Sequence, residues 1–322
     1  MSDELPTAET QDVVHALAAS PAFEQDGVCF AARSTGLYGS QDGGQTWESV
    51  YSSLALEAPL TTAAVALSPG FPADQTLFAG VLGAVLRSSD AGGSWFATTL
   101  PTPPPFVSSL VISPNFVRDG IVLASTMEDG VFRSGDRGVH WAAWNFGLLD
   151  LNVLCLAMSP AFVEDETVFA GTDSGIFRST NGGRAWREVD FPADLAPVLS
   201  LALAPGYASS GLLFAGTEAC GLYTSQDRGR SWTRLGEGSI EGAVNTILLS
   251  PEFSSRPEIL VALADAIIVS RDGGQTWSDW NPDFDIQQSI TAVAGPLGLG
   301  PNAPLLVGLM DGRVTVIRSQ PA

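Results

Sequence analysis

The chain has 322 residues, 45% of them hydrophobic, and a formal net charge of -20 with a pI near 4.2. All fifteen basic residues are Arg. A surface this anionic repels phosphate backbones, which argues against nucleic acid as a partner and favours a cation or a basic protein.

Residues 1–20 are acidic and lack the basic start and long apolar run of a signal peptide. No segment approaches the roughly twenty apolar residues of a membrane helix. The three cysteines, Cys29, Cys155 and Cys220, fall far apart without a C-x-x-C spacing. They read as buried free thiols rather than a disulfide framework or a zinc site. The expectation is a cytoplasmic protein with no membrane contact.

Taken in order, the chain spells one unit repeatedly. The first unit opens on a strand signal from Val13 to Phe23 that ends in Ser20-Pro21-Ala22-Phe23. Proline cannot donate to a ladder, so it stops the strand and starts a loop, and the aromatic that follows is placed to plug the space between sheets. A short apolar strand comes next at Val28 to Ala31, then a third strand that runs into Ser40. The stretch Ser40-Gln41-Asp42-Gly43-Gly44-Gln45-Thr46-Trp47 turns the chain into a fourth strand.

This turn returns every 45 to 48 residues, at Ser88 to Trp95, Ser134 to Trp141, Ser179 to Trp186, Ser225 to Trp232 and Ser270 to Trp277. Its acidic position is Asp42, Asp90, Asp136, Asp227 and Asp272, with Asn181 in the fourth copy. The carboxylate or amide can accept nearby backbone N–H groups, and the Gly two residues later supplies a conformation that a Cβ forbids. Trp47, Trp95, Trp141, Trp186, Trp232 and Trp277 each re-enter a sheet and carry a large apolar ring with them. Six near-identical copies are folding staples, since no chemistry needs six.

A seventh unit begins at Ile290 and stops at Arg318-Ser319, where its own turn should begin. The fixed period and four short strands per unit predict an all-β chain, a single seven-bladed β-propeller of four-stranded antiparallel blades. The blades are approximately 13–50, 61–98, 107–144, 153–189, 198–235, 244–280 and 290–319. For the last blade two readings stand. Either residues 2–8 add its outer strand, or it is three-stranded and the ring closes by packing alone.

The repeated turn resembles the Asp-box, or BNR, repeat of β-propellers, and the resemblance covers nearly the whole chain. Families that carry it include sialidases, sortilin-type receptors, xyloglucan-cleaving glycosidases and the photosystem II assembly-factor group. The chain is closest in type to the assembly-factor-like and sialidase-like members. Shared fold does not carry shared function. Sialidases need an arginine cluster, a Tyr–Glu pair and an acid, and the Arg-Ile-Pro stretch of that family is absent here. Xyloglucan-cleaving relatives place paired carboxylates between two propellers, and this chain has one. The assembly-factor resemblance implies a class of role rather than photosynthesis, because the chain has no basic patch or export signal of the sort those members carry.

Strand order places the loops between strands two and three on the face opposite the Asp boxes, together with the blade-to-blade connections. Those loops carry Glu128, Asp129, Asp173, Glu218, Asp265 and Asp311, and the connections bring aromatics that include Phe146, Phe191 and Phe284. Aromatics among charges favour an interface over plain solvation. His15 and His140 sit in different units and read as structural. We expect no catalytic residue, no cofactor and no metal. The function expected is a non-enzymatic scaffold that binds another protein, a basic one, through an acidic face. The alternative is a carbohydrate-binding protein or glycoside hydrolase.

Overall fold

A computed structural model describes residues 12–101, 104–282 and 287–319 of the chain. Among these residues the strands form seven separate antiparallel sheets, six of four strands and one of three. The first blade runs Val14–Ala19, Cys29–Arg33, Gly36–Ser40 and Glu48–Ser49, each strand paired with the next. The seventh runs Ile290–Ala294, Pro304–Leu309 and Val314–Arg318. Residues 2–8, the candidate outer strand of that blade, lie outside the described residues.

The Ser-Pro-x-Phe segments form more than the loop expected of them. Each of the first four continues into a single helical turn, Phe23–Asp26, Phe71–Asp74, Phe116–Asp119 and Phe162–Asp165. The turn is closed by a second staple that the sequence reading missed. Ser20 Oγ donates to Asp26 at 2.6 Å, and the other oxygen of that carboxylate accepts the Val28 N–H at 2.9 Å. Asp74, Asp119 and Asp165 repeat the bond to their own serines. The signal was present as Ser-Pro-x-Phe-x-x-Asp in four consecutive units.

The buried aromatic of each turn binds blades together. Phe71 packs edge-on against Phe30 of the preceding blade at 5.9 Å, and Phe116 meets Phe78 in the same way at 5.8 Å. Tyr207 and Phe253 repeat this against Phe169 and Phe214. Such pairs contribute about 0.5–1.5 kcal/mol beyond the area they bury.

The Asp box keeps one turn geometry in its six copies, the fourth with Asn181 and Ala185 in place of the usual side chains. In the first, Ser40 Oγ donates to Asp42 at 2.8 Å and accepts the Gly44 N–H at 2.9 Å. One oxygen of Asp42 accepts the Gln45 and Thr46 N–H groups, and the other accepts the Thr46 hydroxyl at 2.6 Å. Gly44 stands at φ +88°, a left-handed conformation. His140 takes the hydroxyl's place in the third box and bonds Asp136 at 2.6 Å. The tryptophan rings are half-buried, except Trp186, which is fully buried.

Hydrogen bonds from Thr276 and Ser270 hold the Asp272 carboxyl down at about 2. Burial pushes Asp136 up, but bonds from His140 and Ser134 outweigh it and leave that group also at about 2. Asp42, Asp90 and Asp227 are likewise held below the usual carboxylate range, chiefly by the hydroxyl of Thr46, Ser94 or Ser231.

Ring closure uses a contact found elsewhere in the ring. A Cβ on Gly308 of blade seven would lie 2.5 Å from Val14 Cγ1 of blade one. Gly80 meets Val107, and Gly216 meets Val244, at the same 2.5 Å. Gly44 of the first box packs on Leu306 and Val316 of blade seven. The seventh blade is therefore seated against the first by the same side-chain packing that joins interior neighbours.

Two outcomes follow from this packing and these staples. Gly308→Ala forces a methyl into Val14 and is expected to cost about 1–3 kcal/mol of unfolding free energy in denaturant melts. A neutral result would mean that closure does not depend on this contact. The box carboxylates have folded pKa values below the unfolded value of about 3.9. Their stabilisation is therefore complete above that pH and is lost as pH falls through the folded values, about 2 for Asp136 and Asp272. Thermal melts of Asp272→Asn should lie below wild type at neutral pH and converge with it toward pH 2; parallel curves would contradict the linkage.

Candidate functional site

The alternation of strand direction separates two faces. The Asp boxes and helical turns lie on one, and the strand two-to-three loops lie on the other with the blade-to-blade connections. On the second face these segments are bonded to one another, as between blades three and four. The Gly130 N–H donates to Leu151 O, and the Glu128 N–H donates to Asn152 Oδ1. Asn145 Nδ2 donates to Asp129 O, the Asp173 N–H to Asn152 O, and the Ser174 N–H to Asp150 Oδ2 at 2.9 Å. Burial pushes Asp150 up, but the bonds from Ser174, Asn152 and Thr172 outweigh it and hold this carboxyl below its ordinary value. The loop 127–130, the loop 172–175 and the connection 144–152 thus form one hydrogen-bonded ledge.

The residues expected at the site fall into distinct groups. Glu128, Asp173, Glu218 and Asp265 are exposed on the loops of blades three to six, and Asp129 is half-buried. Asp311 is half-buried and pairs with Arg313 at 2.7 Å, so its charge is already balanced. Phe191 is a correction. It is 6% exposed, with its ring edge-on to Trp232 at 5.1 Å and Tyr223 at 6.0 Å. Its connection bends inward and the ring fills the core of blade five, so it offers no surface. Phe284 lies outside the described residues. Phe146 is 80% exposed. Its carbonyl accepts the Trp186 N–H, which sets this end of the ledge on the flank between blades three and four rather than on the face itself.

Three apolar residues of the ledge were missed. Leu149 is 79% exposed, and Leu151 and Met127 are also open to solvent. Leu148 between them is buried against Trp186 and Val153. The run Phe146-Gly147-Leu148-Leu149-Asp150-Leu151 carried the signal, since four large apolar side chains in one connection exceed what a single buried anchor needs. A Cβ on Gly147 (φ +79°) would lie 2.3 Å from Trp186 O, so the loop takes this path only with glycine there.

The histidines do not meet. His15 bonds the Ser34 hydroxyl at 3.1 Å, and His140 belongs to its box. Cys29 is buried, and desolvation pushes its thiol up to about 12. Cys155 packs Sγ against Gly171 and is pushed to about 12 by the same cause. Cys220 is half-buried, more open than expected. Among the described residues no three His, Cys, Asp or Glu side chains converge into a group that could hold a metal ion. No helix described is long and apolar enough to cross a membrane.

Comparison with known proteins bears on the fold. A BNR/Asp-box repeat model matches residues 268–279, the sixth box and its flanking strand. No curated protein matches the sequence. Among solved structures, the GH74 xyloglucanase of Xanthomonas campestris superposes with a TM-score of 0.72 at 18% identity, over 95% of this chain and 52% of that one. A structure of YCF48 bound to D1 peptide superposes with a TM-score of 0.66 at 17% identity, over 99% of this chain and 95% of that one. YCF48 from Cyanidioschyzon merolae gives 0.65 at 14%, over 98% and 97%. The chain spans about half the length of the GH74 enzymes it resembles and nearly all of the YCF48 chains. At these identities the likeness is one of fold. Six boxes of common geometry, seven blades in a ring and these likenesses together identify the chain as a seven-bladed β-propeller of the Asp-box type.

Proposed function

We propose that the protein is a non-enzymatic interaction scaffold that docks a basic segment of another protein on the blade three-to-four ledge. One observation carries this reading. Phe146 and Leu149 are 80% and 79% exposed on a connection that is tied to the neighbouring strands and loops through the Trp144 N–H and the carbonyls of Trp144, Phe146, Leu151 and Asn152. A loop tied in this way gains nothing for its own stability by holding two large apolar side chains in water, whereas a partner that covers them gains about 1.5–3 kcal/mol for each. Glu128, Asp129 and Asp173 on the same ledge supply the complementary charge for Arg or Lys on the partner, consistent with the net charge of -20.

The length match supports this class of role. YCF48, whose described complex holds a D1 peptide, corresponds to this chain nearly end to end, while the GH74 enzymes correspond only over about half their length. The carbohydrate reading finds less support. A cavity of about 140 Å³ on blade six carries Asp265 and Asp279, but Ala266, Ile267, Pro282 and Ile317 line it and, among the described residues, no aromatic ring does. The free thiols of Cys29, Cys155 and Cys220 fit a reducing, cytoplasmic compartment.

The test is binding to an array of peptides that combine basic and apolar residues, measured against Phe146→Ala/Leu149→Ala and against Glu128→Gln/Asp129→Asn/Asp173→Asn. The apolar pair should weaken binding by at least tenfold, in keeping with the burial energy of two such side chains. The charge variant should mainly reduce the salt dependence. If wild type binds none of these peptides, or if the apolar pair binds as well as wild type, the ledge is not the docking surface.

A further inference from the structure

On the box-bearing side, a cavity of about 270 Å³ on blade four adjoins one of about 280 Å³ between blades four and five. Arg178 and Arg187 line both. Asn181 and Ala185 help close the first, and Arg228, Arg230, Glu188 and Asp190 line the second. A chain with fifteen Arg among thirty-five acids has gathered four guanidinium groups against two carboxylates in one cleft.

The repeat supplies its own control for what the fold requires here. Arg178 donates to Arg228 O at 3.0 Å, and Arg228 donates to Ala208 O at 2.6 Å. Blades two and three have the same pair, with Arg87 donating to Arg137 O at 3.0 Å and Arg137 to Val117 O at 2.6 Å. Arg178 and Arg228 therefore serve the fold and are fixed in place by it. Arg187 and Arg230 are different. Their counterparts between blades two and three are Phe96 and Val139, and neither Arg187 nor Arg230 makes an ion pair or side-chain hydrogen bond among the described residues.

Three further departures from the repeat fall on the same cleft. Arg178 and Arg187 stand directly opposite each other on paired strands, an arrangement of like charges that is unfavourable on its own. The corresponding pairs elsewhere are Gly39 with Glu48, Arg87 with Phe96, Arg133 with Ala142, Thr224 with Thr233 and Val269 with Ser278. The fourth box has Asn181 where the other five have Asp, which removes a negative charge beside the arginines. It also has Ala185 where the others have Thr, Ser or His, which removes the side chain that bonds the carboxylate. Both changes weaken the staple; the first makes the cleft less negative, and the second makes it roomier.

We propose that the cleft between blades four and five binds a phosphate-type dianion, held by Arg178, Arg187, Arg228 and Arg230. The excess of two positive charges matches the charge of the ligand. Two of the guanidinium groups are already oriented by backbone carbonyls, and planar guanidinium forks suit tetrahedral oxyanions. The field of a protein with net charge -20 opposes anion binding in general, so retention of phosphate here requires this local geometry rather than bulk attraction.

The experiment is calorimetric titration of the full chain with inorganic phosphate, with a phosphoserine peptide and with its unphosphorylated form. All titrations are run at constant ionic strength with chloride as the balancing anion. Wild type should bind phosphate in preference to chloride. Arg187→Gln/Arg230→Gln should weaken binding about tenfold or more, as expected for lost charge-assisted bonds. Asn181→Asp should weaken it as well without lowering the melting temperature, which separates charge from folding. If the phosphopeptide binds more tightly than inorganic phosphate, the ligand is a phosphorylated protein; equal affinity points to a free phosphate. If phosphate behaves as chloride does, or if either variant binds as tightly as wild type, the proposal fails.

Discussion

A single hydroxyl at the end of the third strand of each of the first six blades carries the architecture. Ser40, Ser88, Ser134, Ser179, Ser225 and Ser270 are all buried, with exposures between 0% and 3%. Each accepts the N–H of the glycine four residues on and donates to the Asp, or in the fourth copy the Asn, two residues on. A serine left without those partners would face the desolvation cost of a buried hydroxyl, about 1–3 kcal/mol. The turn must therefore close in this form for the serine to be buried at all. The tryptophan then enters the outer strand at a fixed height. In boxes two and four it also reaches the preceding blade, where Trp95 donates to Val50 O and Trp186 to Trp144 O, each at 2.8 Å. Local turn chemistry is thereby converted into contact between blades.

This dependence explains which parts of the protein were legible in the sequence. The boxes were readable because each bond inside them spans two to four residues, so spacing alone encodes them. The second staple had the same property and was still missed, because its aspartate lies beyond the aromatic where reading of the segment stopped. Contacts between blades were not legible. The close approach of Gly308 to Val14 joins the two ends of the chain, and nothing in either segment marks the other as its partner. Phe191 was placed on the surface for the same reason. Its partners Trp232 and Tyr223 lie more than thirty residues away, and a phenylalanine between charged residues reads as exposed until they are known.

Charge was legible as a total but not as a pattern. The sequence predicts an acidic face and no basic patch. The acidic loops are present, but the arginines of blades four and five converge across a strand pair and a blade boundary that composition does not record. Part of that convergence is a by-product of the fold. Arg137 and Arg228 occupy a left-handed position in their boxes, at φ +63° and +65°, where three other copies have glycine and the second has Ala91. The conformation is strained for a residue with a Cβ, and the bonds their guanidinium groups make to Val117 O and Ala208 O offset that strain. What the fold does not explain is the pair Arg187 and Arg230.

Both candidate surfaces border blade four, and the fourth box is the copy that departs furthest from the pattern. The physical link between these facts is Trp186. It is the one box tryptophan that is fully buried, because the connection from blade three wraps over it and bonds its backbone N–H through Phe146 O and its indole N–H through Trp144 O. Complete rather than partial burial of an indole is worth on the order of 1–2 kcal/mol at about 25 cal/mol per Å². A hydroxyl bond to a charged carboxylate, the bond this box lacks, is worth about 1.5–3 kcal/mol. The two are of similar size, so the wrapped connection can compensate the weakened staple. The same connection leaves Phe146 and Leu149 in solvent. Loss of the carboxylate at Asn181 and projection of the apolar ledge are thus two sides of one local exchange. It leaves blade four beside two large apolar side chains, Phe146 and Leu149, held in solvent.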